Sequence, residues 1–93
     1  MITVERSEND RSFEKGDLVK HFKHEIDKSK YIYRIIGLAK HTETQETMVV
    51  YQDLKTDQMF ARPYSLFVGE VNKNKYPNIK QKYRFERIKL EEI

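Results

Sequence analysis

The residues of this chain whose types could do chemistry are three histidines, a group of carboxylates on a polar corner, and an arginine set in place by a following proline. His41 has Glu43 and Glu46 nearby in sequence, and His21 lies on an earlier strand pattern. Imidazole beside carboxylate is the pairing that moves protons near neutral pH, so His41 with Glu43 is the candidate acid–base pair. The spacing of His21 and His41 fits no metal motif, and His24 has only Glu25 and Asp27 beside it, so no metal and no cofactor is expected. Neither a Gly-rich phosphate loop nor a nucleophile elbow occurs, and no catalytic residue is assigned. The plainer reading of His21 and His41 is strand-end side chains that hydrogen-bond to backbone or carboxylate. For Thr42-Glu43-Thr44 it is turn chemistry, in which short polar groups satisfy local amides.

Tyr51, Gln52 and Arg62 carry a different chemistry, that of recognition. Gln52 falls on the strand face of Met48, Val50 and Leu54, where a buried amide would need partners. Arg62, oriented by Pro63, either pairs with Glu43 or Glu46 or presents its planar fork to a carboxylate or phosphate. With His21, Tyr33, His41 and Glu43 these residues make a candidate ligand set, a shallow polar pocket with aromatic walls suited to a planar ligand such as a nucleobase. A second candidate surface is basic. Residues 72–89 hold seven lysines and arginines against Glu86 alone, while residues 41–58 hold four acids against Lys55. Lys80, Lys82 and Arg84, interleaved with Tyr76, Tyr83 and Phe85, are the material of a nucleic-acid surface, through phosphate neutralisation and base stacking. The alternative is a solvated strand face whose lysines protect a sheet edge.

The elements that must position these residues are constrained by size. The chain of 93 residues supports one domain, and with 38% apolar against 35% charged residues its core must be thin. Eleven aromatic residues, six of them tyrosine, supply that core from few positions. There is no cysteine, which excludes disulfides and thiolate chemistry. No apolar run approaches the roughly 20 residues of a membrane helix, and MITVERSEND carries no signal-peptide core, so a cytoplasmic setting is expected.

In chain order, residues 1–12 read as a flexible tail, residues 13–89 as the domain, and residues 90–93 as a short C-terminal tail. Lys15-Gly16-Asp17 signals a turn into a strand over 18–23, and HEIDKSK (24–30) reads as the loop of a hairpin. YIYRIIGLAK (31–40) is apolar on both faces and reads as a central strand, bent at Gly37. HTETQE is a polar corner, followed by a strand over 46–54, a turn at 55–58 and a returning strand over 59–62 that Pro63 ends. Residues 64–68 suit a single helical turn, 69–78 a loop, and 81–88 alternate as a half-buried edge strand with Tyr83, Phe85 and Arg87 on one side. Five short strands with short connections predict an all-β fold, a small antiparallel five-stranded barrel of the SH3-like or, alternatively, the OB-like kind.

At this point a family resemblance becomes specific. His21-Phe22-Lys23, Tyr33-Arg34-Ile35-Ile36-Gly37-Leu38-Ala39, His41-Thr42-Glu43-Thr44, Val49-Val50-Tyr51-Gln52 and Arg62-Pro63 with Phe67 occur in this order. The chain thereby resembles a bacterial domain-of-unknown-function family over residues 15–71, and its longer members also resemble Tyr76-Pro77 and Lys82-Tyr83-Arg84-Phe85. Two departures stand out, the added polar stretch 25–30 and Phe60-Ala61 before Arg62-Pro63. The resemblance implies membership and no particular activity. The function expected is that of a small binding module for nucleic acid or a nucleotide-like ligand on one face. The alternatives are a protein–protein adaptor that pairs strands with a partner, and a small enzyme or enzyme accessory using His41 and Glu43.

Overall fold

The computed structural model describes residues 12–88; the tails expected at 1–12 and 90–93 lie outside it, apart from Ser12. Five strands form one antiparallel sheet: β1 (Leu18–His21), β2 (Ile32–Lys40), β3 (Thr47–Asp53), β4 (Met59–Pro63) and β5 (Phe85–Arg87). Their spatial order is β4-β3-β2-β1-β5, so the sheet is open, with β4 and β5 as its outer strands. A 3₁₀ turn, η1 (Phe22–Glu25), follows β1, and one helical turn, α1 (Tyr64–Phe67), follows β4. No helix among the described residues is long and apolar enough to cross a membrane.

Turn chemistry starts the sheet. Gly16 takes a φ of 92°, a conformation that glycine adopts without steric cost, and its N–H donates to the Ile35 carbonyl at 2.7 Å. Directly paired residues share a face, and the register pairs Val19 with Tyr33, Ile35 with Tyr51, Val49 with Arg62, Tyr51 with Phe60 and His21 with Phe85. That face is the core. Val19, Ile35, Val49, Phe67 and Phe85 are its fully buried side chains. Phe67 of α1 lies parallel to Phe85 with centroids 4.1 Å apart, and Phe13 meets Phe67 edge-on at 5.2 Å. Each such burial stabilises the fold by about 1.5–3 kcal/mol. A smaller cluster of Phe22, Val71 and Ile79, flanked by Tyr76, fastens η1 to the loop before β5.

Several elements differ from the sequence reading. The core side of β3 is Val49 and Tyr51, while Gln52 is only half-buried and donates from Nε2 to the Asp57 carbonyl at 2.9 Å. β2 is not buried on both faces. Its register shifts between Ile35 and Gly37, and this bulge brings Leu38 opposite Val49 on the core side, yet beyond the reach of β1, whose pairing stops at Arg34. Leu38 is consequently 53% exposed. β1 ends at His21 because η1 begins there, so HEIDKSK is a loop only after its first two residues. Only three residues of the expected edge strand 81–88 pair as β5. Upstream of them, the buried Gln81 donates from Nε2 to the carbonyls of Lys20, Tyr83 and Arg84, and these side-chain bonds replace a regular ladder.

Candidate functional site

One end of the sheet carries a band of rings that crosses all five strands on the core side. From β4 to β5 it runs Phe60, Tyr51, Tyr33, His21 and Phe85, with Tyr31 at the entry to β2. Phe60 stacks on Tyr51 at 5.5 Å, Tyr51 meets Tyr33 edge-on at 5.2 Å, and Tyr33 meets Phe85 at 5.9 Å. His21 is 5.0 Å from Phe85 and 5.8 Å from Tyr31. The band grades from closed to open. Phe85 is 1% exposed and Phe60 37%, while His21, Tyr31 and Arg62 are half-buried.

Arg62 enters this band from β4. Its guanidinium lies 5.8 Å from the Phe85 centroid and its Nε–H donates to the Tyr51 hydroxyl at 3.4 Å. No carboxylate among the described residues lies within 4.0 Å of it. The pairing with Glu43 or Glu46 allowed by the sequence is not made, because both acids sit exposed on the β2–β3 turn.

Two groups of the band, His21 and Tyr33, are held neutral. Burial, helped by the positive charges of Lys23, Arg62 and Arg84, brings the pKa of His21 down to about 4. Its Nδ1 accepts the Lys23 N–H at 3.1 Å, capping η1, so the ring proton belongs on Nε2. Burial, with Asp53, Tyr51 and Tyr31 adding to it against an opposing Arg62, pushes Tyr33 up to about 12. Near neutral pH His21 Nε2 and Tyr33 Oη are therefore uncharged hydrogen-bond donors beside one guanidinium. Tyr31 adds strain: its φ is 71°, a left-handed conformation that costs a side-chain-bearing residue about 1–2 kcal/mol. Its carbonyl is held there by the His21 N–H at 3.0 Å. Such outliers cluster at ligand clamps.

A family model described as Protein of unknown function (DUF1653) matches residues 17–87. The chain belongs to this family. No curated protein and no solved structure matches it.

In this DUF1653 domain the sequence-derived ligand set divides. His21, Tyr33, Tyr51 and Arg62 come together in the aromatic band. His41, Glu43 and Gln52 do not join it, for local reasons. His41 Nδ1 accepts the N–H groups of Glu43 and Thr44 at 3.2 and 3.3 Å, so it fastens the β2–β3 turn. Gln52 fastens the β3–β4 turn with the opposite polarity, donating from Nε2 to the Asp57 carbonyl. The basic segment is largely spent on structure. Arg84 donates to the Leu66 carbonyl at the end of α1 (3.2 Å), Arg87 donates to the Ser12 carbonyl (2.8 Å), and Lys82 pairs with Glu70 at 3.7 Å. Lys73 donates from Nζ to the carbonyls of Ile79 and Gln81. Lys80 is exposed, and its backbone N–H donates to the Glu25 carboxylate at 2.9 Å. Sequence reasoning missed Phe60 and Tyr31 as site residues. The alternation of β4 held the signal for Phe60, since a residue two positions before Arg62 shares its face.

Proposed function

We propose that this domain is a binding module for a nucleotide-like ligand, a planar ring joined to an anionic group, taken up at the aromatic end of the sheet. The observation that carries the reading is Arg62: a half-buried guanidinium braced on Phe85 and Tyr51, without a carboxylate partner among the described residues, and surrounded by rings. An arginine so placed suits a phosphate. Phe60 and Tyr31 supply partly open aromatic faces for stacking, and Tyr33 Oη and His21 Nε2 supply neutral donors. With its Nδ1 engaged in a cap and its pKa low, His21 is suited to donating a hydrogen bond and poorly suited to accepting a proton, which favours binding over acid–base chemistry.

Calorimetric titration with a nucleoside monophosphate and with the matching nucleoside tests this. Hydrogen bonds to charged groups contribute about 1.5–3 kcal/mol, so the monophosphate should bind roughly 10- to 100-fold more tightly than the nucleoside, and Arg62→Ala should abolish the difference. Equal binding of the two by the wild type, or an Arg62→Ala variant indistinguishable from it, would refute the proposal.

A second reading, an adaptor that accepts a partner strand, is favoured by β2. Beyond Ile35 this strand is paired only with β3 among the described residues. It runs beside a groove of about 560 Å³ lined by Phe13, Leu38, Glu46, Thr47 and Tyr64. Slow hydrogen exchange at every amide of residues 37–40 in the isolated domain would show that edge to be covered and would remove this reading.

A further inference from the structure

Past His21 the ring contacts leave the sheet. His21 packs on Phe22 with centroids 4.2 Å apart, and Phe22 packs on Tyr76 at 4.8 Å, in the loop before β5. Tyr76 is half-buried, and two ammonium groups flank its ring, Lys75 Nζ at 5.5 Å and Lys23 Nζ at 6.0 Å from the centroid. Neither lysine lies within 4.0 Å of a carboxylate among the described residues, unlike Lys82. Tyr31 and Tyr76, each partly open, are thus joined by three ring-to-ring steps of 5.8, 4.2 and 4.8 Å. Arg62 stands on Phe85, the ring that His21 meets edge-on, and Lys23 with Lys75 stand by Tyr76.

We infer that a single-stranded polynucleotide lies across this end of the molecule, with one nucleotide at the Arg62 site and a later base against Tyr76, its phosphates met by Lys23 and Lys75. The inference rests on the nucleotide-binding reading of Arg62 and extends it, since one mononucleotide cannot occupy two separate ring-and-cation platforms. Base stacking on aromatic faces tolerates any sequence, and backbone neutralisation makes such binding steeply dependent on salt. The surface differs from Lys80, Lys82 and Arg84, of which Lys82 and Arg84 are engaged within the fold.

Fluorescence anisotropy with labelled oligothymidylates of 4, 8 and 12 nucleotides, at 50 and 200 mM salt, tests the inference beside calorimetry with thymidine monophosphate. The oligonucleotides should bind at least 10-fold more tightly than the mononucleotide. Lys23→Glu with Lys75→Glu should remove that gain and flatten the log–log salt slope by about 1.4, at roughly 0.7 per phosphate contact, while Lys75→Glu alone should leave mononucleotide affinity unchanged. The Lys75 side chain is exposed and Lys23 is half-buried in η1, so circular dichroism of the double variant, expected to match wild type, checks that the fold is kept. Oligonucleotides that bind no tighter than the mononucleotide, or a double variant that keeps the full gain, would overturn the track. So would tighter binding of a glutamate- and tyrosine-rich peptide, which would assign the surface to an acidic protein segment. Loss of mononucleotide binding alone, with oligonucleotide binding indifferent to Arg62→Ala, would instead sink the Arg62 reading.

Discussion

Lowering the pH from 7.5 to 5 should weaken the folded domain through His21, and replacing His21 by asparagine should remove most of that weakening. The pKa of His21 falls from 6.5 to about 4 on folding, chiefly through burial. A group depressed in this way is neutral in both states above pH 6.5, so it exerts no pH effect there. Between 6.5 and 4 the unfolded chain takes up a proton that the folded one refuses, and stability declines as the pH falls. At about 1.4 kcal/mol per pH unit, the drop to pH 5 is worth roughly 2 kcal/mol for a fully shielded ring. His21 is half-exposed, and solvent screening reduces this to about 1 kcal/mol. Asparagine does not titrate, yet its side-chain oxygen can still cap η1. The variant loses ring contacts to Phe22 and Phe85, which lowers its stability at every pH without adding a slope. Urea denaturation of both proteins at pH 7.5, 6.5, 5.8 and 5.0 measures the difference in slope, and NMR titration of the His21 ring measures its folded pKa. Parallel losses in the two proteins, or a folded His21 titrating near 6.5, would show that the ring is solvated and that the neutral donor assigned to the site is wrong.

Other substitutions probe the framework. Gln81→Ala should cost about 2–3 kcal/mol in urea denaturation, because the carbonyls of Lys20, Tyr83 and Arg84 lose a shared buried donor; a change under 0.5 kcal/mol would mean that water replaces the amide. Phe85→Ala should cost about 3–5 kcal/mol through the cavity left between Phe67 and Tyr51, enough to unfold a domain this small, and a cooperative near-wild-type melt would contradict the core described above. Asp57→Gly should raise the unfolding free energy in urea denaturation by about 0.5–1 kcal/mol, since Asp57 holds a φ of 63° on an exposed turn; destabilisation would show that its side chain matters more than its backbone. Glu25 accepts the N–H groups of Lys80 and Gln81. Slight burial raises its pKa, but those bonds together with Lys28 and Lys73 outweigh that and lower it. Its stabilisation is present above the ordinary glutamate range and is lost as pH falls through the lowered value. Glu25→Gln should therefore speed exchange of the Lys80 and Gln81 amides at pH 7, and unchanged exchange would remove this latch.

The central hairpins were the most legible part of the chain, because β-branched and aromatic runs at 31–40 and 47–53 are bounded by polar turns that fix their register locally. β5 was the least legible. Its alternation at 81–88 is real, but Gln81 bonds outward to three carbonyls and leaves only Phe85, Glu86 and Arg87 to pair with β1, a long-range contact that no local pattern announces. His21, Tyr33, Tyr51 and Arg62, grouped in the sequence because their types suit recognition, do converge at one end of the sheet. His41 and Gln52 misled for a common reason. A polar side chain near a tight turn finds backbone partners within a few residues, and the same atoms that look available in a sequence are consumed there. Phe60 went unassigned although it shares a face with Arg62 on β4, because its pairing with Tyr51 is a fact of register.

The pairing of β1 with β5 also sets an order in time. Val19 meets Arg87 and His21 meets Phe85, so the first strand of the domain waits for the last, while β2, β3 and β4 associate through short turns. Closing long loops is the slow step in folding. On a ribosome the meander can form early, but Phe67 has no stacking partner until Phe85 emerges from the exit tunnel. A nascent chain arrested before Phe85 should remain sensitive to protease, and one arrested beyond residue 88 with the tunnel cleared should resist it. The residues that complete the core are thus the last of the sheet to be synthesised, and the aromatic end of the sheet that they brace is assembled with them.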